Sequence, residues 1–230
     1  MYNLKSKAQT LLKLHKKKLI NIPKTFIFNV ENYKKNKIYI INKIQKLFSN
    51  KIAIRSSNVF EDTNNKSFAG KFKSVLNVDP NNNLELIKSI EDVINSYKNF
   101  RNDKNEILVQ NMIKNVSFSG VCTTCDLENY FPIYQINYSI GKDTTVVTSG
   151  KSKTKNITYL DNNRFKIEDK KFQKLVSIIK KLKKKYNDCH LDVEFAINRK
   201  GKIYILQVRP VIIKKKLIVD ENLARFNFYT

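Results

Sequence analysis

The chain has 230 residues, 41% of them hydrophobic, which suffices for one substantial domain or two small lobes around real cores. No apolar run is long enough to span a bilayer and the start carries no signal-peptide pattern, so a helical membrane protein is excluded and a soluble, cytoplasmic chain is expected. The formal charge of +24 attracts polyanions in general, but only six of the 44 basic residues are arginine, and the Lys, Asn and Ile crowding is what an AT-rich coding bias produces. The basic runs LHKKK, KKLKKK and IIKKK lack the interleaved aromatics or glycines of an RNA-binding surface, so they read as solvated faces.

In chain order, LKSKAQTLLKLHKKK carries Leu4, Ala8, Leu11 and Leu12 at helical spacing, and NIPKTFIFNV follows as a strand entered through proline. IYIINKIQKLF predicts a helix and KIAIR a short buried strand. A polar stretch, SSNVFEDTNNKSFAG, separates that strand from the next, KFKSVLNV. NNNLELIKSIEDVINSYKNF is the clearest helix, capped by asparagine, with Leu84, Leu86, Ile87, Ile90, Val93, Ile94 and Tyr97 on one side. Four strand candidates come in succession: EILVQNMI, VSFSGVCTT, YFPIYQINYSI and TTVVTS. A second amphipathic helix, EDKKFQKLVSIIKKLKKKYND, leads into the closing hairpin LDVEFAINRKGKIYILQVRP. Mixed helices and strands followed by mostly antiparallel strands predict an α+β fold with two lobes.

The five glycines form no GxGxxG or Walker loop, so any phosphate site must use side chains and strands. Cys122 and Cys125 have the spacing of half a zinc site, but Cys189 and His190 are adjacent and point apart. Buried thiols are therefore expected and zinc is not.

The hairpin raises the chemical question. Alternation puts Asp192 and Glu194 on one face and Gln207 and Arg209 on one face. A two-residue loop at Arg199-Lys200 or Lys200-Gly201 makes these the same face, whereas a three-residue loop would separate them. Val193, Phe195, Tyr204, Leu206 and Val208 then form an opposite, core-like face. Two readings stand at this point. The four polar residues could be a cross-strand ion pair worth roughly a few tenths of a kcal/mol. Alternatively, the carboxylates could hold Mg2+ while Arg209 and Gln207 grip phosphate oxygens.

Taken together, IRSSNVFEDTNNKSFAGKFKSVLNV, ILVQNMI, SFSGVCTT and LDVEFAINRKGKIYILQVRP resemble a known family. It is the ATP-grasp nucleotide-binding domain of pyruvate phosphate dikinase, phosphoenolpyruvate synthase, rifampicin phosphotransferase and related glutamine kinases. The resemblance runs over about residues 4–211 and implies a domain at 1–213 followed by a tail at 214–230. It implies ATP and Mg2+ as cofactors and a two-lobed cleft. Lys7, Arg55, Gly70, Ser74, Gln110, Glu194, Gln207 and Arg209 would bind nucleotide, and Asp192 and Glu194 the metal. Arg55 and Arg209 would carry the transferred charge as the catalytic residues.

The sequence departs from the pattern in several places. Lys5-Ser6 stands where the family has Gly-Gly before the lysine, which makes Lys5 a rival to Lys7, and the family's G-L-G-E segment has no clear counterpart in SIGKDTTVVTSG. Neither His15 nor His190 resembles the family's phosphohistidine, and a surface role and a structural role are expected for them. The implied activity is therefore a phosphotransferase domain, incomplete without a phosphohistidine domain, that supplies a histidine in trans or a small acceptor. The alternatives are a non-catalytic nucleotide- or partner-binding module and, less in keeping with the motifs, a basic RNA-binding protein.

Overall fold

The computed structural model describes residues 6–57, 72–97, 102–141, 154–160 and 167–211. Helix α1 (Lys7–Lys16) starts at Ser6, whose hydroxyl accepts from the Gln9 amide. Strand β1 (Thr25–Asn29) ends sooner than its apolar run suggests, because the Asn29 side chain caps the short helix α2 (Val30–Lys35) at 2.7 Å. That helix was not expected. An asparagine followed by Glu31 in the first turn is the signal that could have revealed it. Helix α3 (Lys37–Leu47), strand β2 (Ile52–Ser57), strand β3 (Ser74–Val78), helix α4 (Asn83–Ser96) and strand β4 (Glu106–Asn111) complete the first lobe. The second holds β5 (Val116–Thr123), β6 (Tyr134–Ile140), β7 (Lys155–Tyr159), helix α5 (Lys170–Lys185), β8 (Leu191–Asn198) and β9 (Ile203–Pro210). The run TTVVTS lies outside the described residues. Strand β7, which the sequence reading passed over, takes the edge beside β6.

Among the described residues all strand pairs are antiparallel, in a four-stranded sheet ordered β1-β4-β2-β3 and a five-stranded sheet ordered β7-β6-β5-β8-β9. Each sheet buries one face under helices. Ile52, Ile54, Ile107 and Val109 pack against Ile40, Ile44, Leu86, Ile90 and Val93 of α3 and α4. In α4 the buried stripe begins at Leu86, and Leu84 is 84% exposed, because two residues rotate a side chain about 200° around a helix. Cys122, Ile136, Val193, Phe195, Ile205 and Val208 pack against Leu11 and Leu14 of α1 and Phe172, Leu175 and Ile179 of α5. A fully buried Phe or Leu removes enough apolar surface from water to contribute about 2 kcal/mol, so these two layers hold the lobes together. Among the described residues, no helix is long and apolar enough to cross a membrane.

The closing hairpin reaches its expected face by an unexpected route. Its loop is Arg199-Lys200-Gly201, three residues, with Gly201 at φ +73° and the Gly201 amide donating to the Asn198 carbonyl at 2.8 Å. That loop alone would put the two strands out of phase. A register shift between Glu194 and Phe195 inserts Leu206 as an extra residue in β9 and restores the phase. Asp192 therefore lies opposite Arg209, and Glu194 opposite Gln207. The shift also moves Tyr204 and Leu206 off the core face assigned to them. Leu206 packs with Val116 and Ala196 on the other side of the sheet, with Ile113 and Tyr204 against them, and Ile205 takes the core position.

Cys122 and Cys125 are both buried. Burial pushes both thiols up, Cys125 to about 11, with Asp126 adding to it. Cys189 is partly exposed. Among the described residues, no three His, Cys, Asp or Glu side chains gather as a metal centre. Iodoacetamide at pH 8 is expected to label Cys189 first, and the other two only after denaturation. Peptide mapping that finds Cys122 or Cys125 modified in the native chain would contradict the packing of β5.

Candidate functional site

The face of each sheet not covered by helices carries the polar residues. On the small sheet, Arg55 lies opposite Leu108 and Ser74, Ala53 opposite Gln110, and Ser57 opposite Glu106, so these side chains share a face. On the large sheet the register builds two rows. One runs Gln135, Thr123, Asp192, Arg209, and the other Asn137, Val121, Glu194, Gln207. The lobes meet through these faces: Arg55 Nη1 lies 3.4 Å from Glu194 Oε2, each side chain about four-fifths buried. Arg55 Nε is buried with no hydrogen-bond partner among the described residues.

Asp192 accepts two hydrogen bonds from Arg209, from Nε at 2.8 Å and from Nη2 at 2.5 Å, both on Oδ2. The cross-strand ion pair expected from strand chemistry is thus present. Burial nevertheless holds the Asp192 carboxyl above the usual carboxylate range. Arg209 opposes that effect, Glu194 adds to it, and the Lys7 charge is close enough to counter it.

Lys7 reaches this region because α1 joins the lobes. The Ala8 amide donates to Ser57 Oγ at 3.0 Å, and Ser6 and Gln9 both donate to the Glu106 carboxylate. Behind them the Tyr97 hydroxyl accepts from the Ser57 amide and donates to the Glu106 carbonyl. Farther along α1, Leu11 and Leu14 sit in the large-lobe core. The first turn of the helix is thus bonded to one lobe and its apolar stripe is buried in the other.

Of the residues singled out from sequence, Lys7, Arg55, Asp192, Glu194, Gln207 and Arg209 come together. Ser74 stands across from Arg55 and is exposed. Gln110 lies on the inner face of the small sheet but is buried and donates to Thr25 Oγ1 at 3.3 Å. Gly70 and Lys5 lie outside the described residues. His15 is exposed on α1, and His190 places Nδ1 3.0 Å from the Thr124 carbonyl. Sequence reasoning missed Ser57, Glu106 and Thr123. Alternation along VSFSGVCTT already puts Thr123 on the face opposite Cys122, so that one was within reach.

The inner face of the large sheet changes character along its length. Toward the chain crossing at residues 111–115 it is apolar, with Val116, Ala196 and Leu206; toward the far end it carries the carboxylates and Arg209. A cavity of about 390 Å³ opens at the crossing between Lys24, Asn111, Ile113, Asn198 and Tyr204. The donor set at the far end consists of two carboxylates on one strand face, with no third His, Cys, Asp or Glu gathered beside them among the described residues. That suits Mg2+, which keeps several waters and binds through one or two carboxylates plus phosphates.

Comparison with known proteins agrees with this architecture. The model of the pyruvate phosphate dikinase AMP/ATP-binding domain matches residues 31–157 and 135–226. No curated protein matches the chain by sequence. The D-alanine-D-alanine ligase of Helicobacter pylori is 18% identical, covers 90% of this chain and 54% of its own, and superposes with a TM-score of 0.52. For an L-amino acid ligase of Bacillus licheniformis the values are 13%, 90%, 43% and 0.55. For the D-Ala:D-Ser ligase VanG of Enterococcus faecalis they are 14%, 89%, 52% and 0.51. The chain spans about half the length of these solved structures, and the likeness to them is one of fold. The chain belongs to the AMP/ATP-binding domain family of pyruvate phosphate dikinase and is an ATP-binding domain of the ATP-grasp fold.

Proposed function

We propose that the chain is the nucleotide-binding part of a phosphotransferase, holding ATP with Mg2+ between the two inner sheet faces. The observation that carries this is the Arg55–Glu194 contact across the lobes, with Arg55 Nε buried and without a partner among the described residues. A buried guanidinium nitrogen left unbonded is costly, and an anion entering the cleft would satisfy it. The apolar end near Ile113, Ala196 and Leu206 suits a base, while Lys7, Arg55 and Arg209 at the other end suit a polyphosphate. Asp192 and Glu194 would hold Mg2+, whose chemistry is to neutralise charge on the phosphate oxygens. Gln207, Ser74 and Gly70 would complete the phosphate contacts, and Gln110 would shape the floor of the small lobe. Positioning and charge neutralisation are most of what phosphoryl transfer needs from a protein.

The acceptor in this reading is a histidine on a partner domain in trans or a small molecule. His15 bonds the Ile20 carbonyl and His190 the Thr124 carbonyl, so each ring already has a backbone partner. We assign residues 1–213 to this domain.

Glu194→Gln tests the reading, because it keeps the shape and an oxygen that can accept from Arg55 while removing one carboxylate charge. Calorimetry should show ATP·Mg2+ affinity falling at least about tenfold, with the thermal midpoint unchanged within a few degrees. Lost stability with unchanged binding would make the Arg55–Glu194 pair purely structural.

A further inference from the structure

Thr123 is buried, and its hydroxyl oxygen has no hydrogen-bond partner among the described residues. It stands in the second of the four strands that build the Asp192 row, directly across from Asp192 on β8 and from Gln135 on β6. Neither neighbour engages it. Gln135 turns its amide to Asp126 Oδ2 at 3.0 Å, and both Arg209 bonds to Asp192 fall on Oδ2. A threonine on the core side of this strand would be an unexplained loss, but antiparallel pairing places Thr123 on the inner face with Asp192. Buried hydroxyls are nearly always bonded, and one that is not marks a place where something else supplies the acceptor.

We propose that the Thr123 hydroxyl donates a hydrogen bond to an oxygen of the bound metal–triphosphate complex beside Asp192, making Thr123 a ligand-contacting residue of the phosphate end. The proposal rests on the cleft reading above and adds a residue to it. Two buried polar atoms without partners among the described residues, Arg55 Nε from the small lobe and Thr123 Oγ1 from the large one, then flank the Asp192–Glu194 carboxylates. A ligand oxygen on each side would satisfy both. The acceptor is either a phosphate oxygen or a water held by the metal, and the two share one chemistry.

Thr123→Val exchanges the hydroxyl for a methyl group in nearly the same volume, and Thr123→Ser keeps the hydroxyl. Calorimetric titration with ATP in MgCl2 should show the Val variant about tenfold weaker than the native chain and the Ser variant within about threefold, as expected for one hydrogen bond to a charged acceptor. The thermal midpoint of the ligand-free Val variant should equal or exceed the native one, since no apo hydrogen bond is removed. Repeating the titration in EDTA identifies the oxygen: a loss that persists points to phosphate, and a loss confined to Mg2+ points to a metal-held water. A Val variant that binds as tightly as the native chain, or that melts lower without ligand, overturns the assignment. A native chain that binds no ATP·Mg2+ at all overturns the cleft reading itself, which is a different result.

Discussion

Arg209→Ala should destabilise the ligand-free chain by about 3 kcal/mol at pH 8, and by clearly less at pH 5. Asp192 is 13% exposed, and its hydrogen bonds among the described residues come from Arg209. Without that guanidinium the charged carboxylate is buried beside Glu194, with Lys7 left among the described residues to offset it. The group can escape by taking up a proton. Its carboxyl already lies above the usual range in the folded chain, through burial, and losing Arg209 moves it further up. A carboxyl whose folded value exceeds its unfolded value favours the folded state fully below the unfolded value. It loses that contribution as pH rises through the folded one. The variant should therefore be weakest at high pH and recover part of its stability toward pH 5. Urea denaturation at the two pH values measures this. The double variant Asp192→Asn, Arg209→Ala should regain most of the loss at pH 8. Equal losses at both pH values would mean that Asp192 is not the source.

Gly120→Ala should cost about 3 kcal/mol, although it adds a single methyl group. An added Cβ would collide with the Asn137 carbonyl oxygen and lie 2.9 Å from Tyr138 Cα, both of them backbone of the adjacent strand β6. Neither can rotate away as a side chain could. Relief requires β5 and β6 to part, and β5 is the strand that pairs Thr123 with Asp192. Binding of ATP·Mg2+ should weaken together with stability. Gly201→Ala is the control: its φ of +73° strains any other residue, but nothing lies within 4 Å of the added carbon, so about 1 kcal/mol is expected. A Gly120→Ala variant as stable as the native chain in chemical denaturation would show that β5 and β6 are not packed as described.

Most of the elements were legible because their signals are local. Asn82 and Asp169 each cap a helix whose apolar stripe follows in the next residues, and the strands alternate within windows of about six residues. The hairpin's chemistry was legible for the same reason, since Asp192 and Glu194, like Gln207 and Arg209, are spaced two apart. Its geometry was not. The three-residue loop and the extra residue at Leu206 each reverse the phase, and together they cancel, so the expected pairing emerged by a path the sequence pattern does not encode. The misplacement of Tyr204 and Leu206 follows directly from that.

Alternation, capping and the order of its motifs were enough for this chain to declare two lobes, an α+β fold and a polar face on its last hairpin. Contacts between residues far apart in the chain were decided only in three dimensions. Arg55 and Glu194 are 139 positions apart, and Ser6 and Glu106 are 100 apart. No local pattern specifies such pairs, because they depend on how two separately formed sheets stack and on a helix that crosses from one to the other. The same holds for Thr123. Its face was readable from alternation, but its lack of a partner became visible only when Gln135, Asp192 and Arg209 were aligned beside it and had bonded elsewhere.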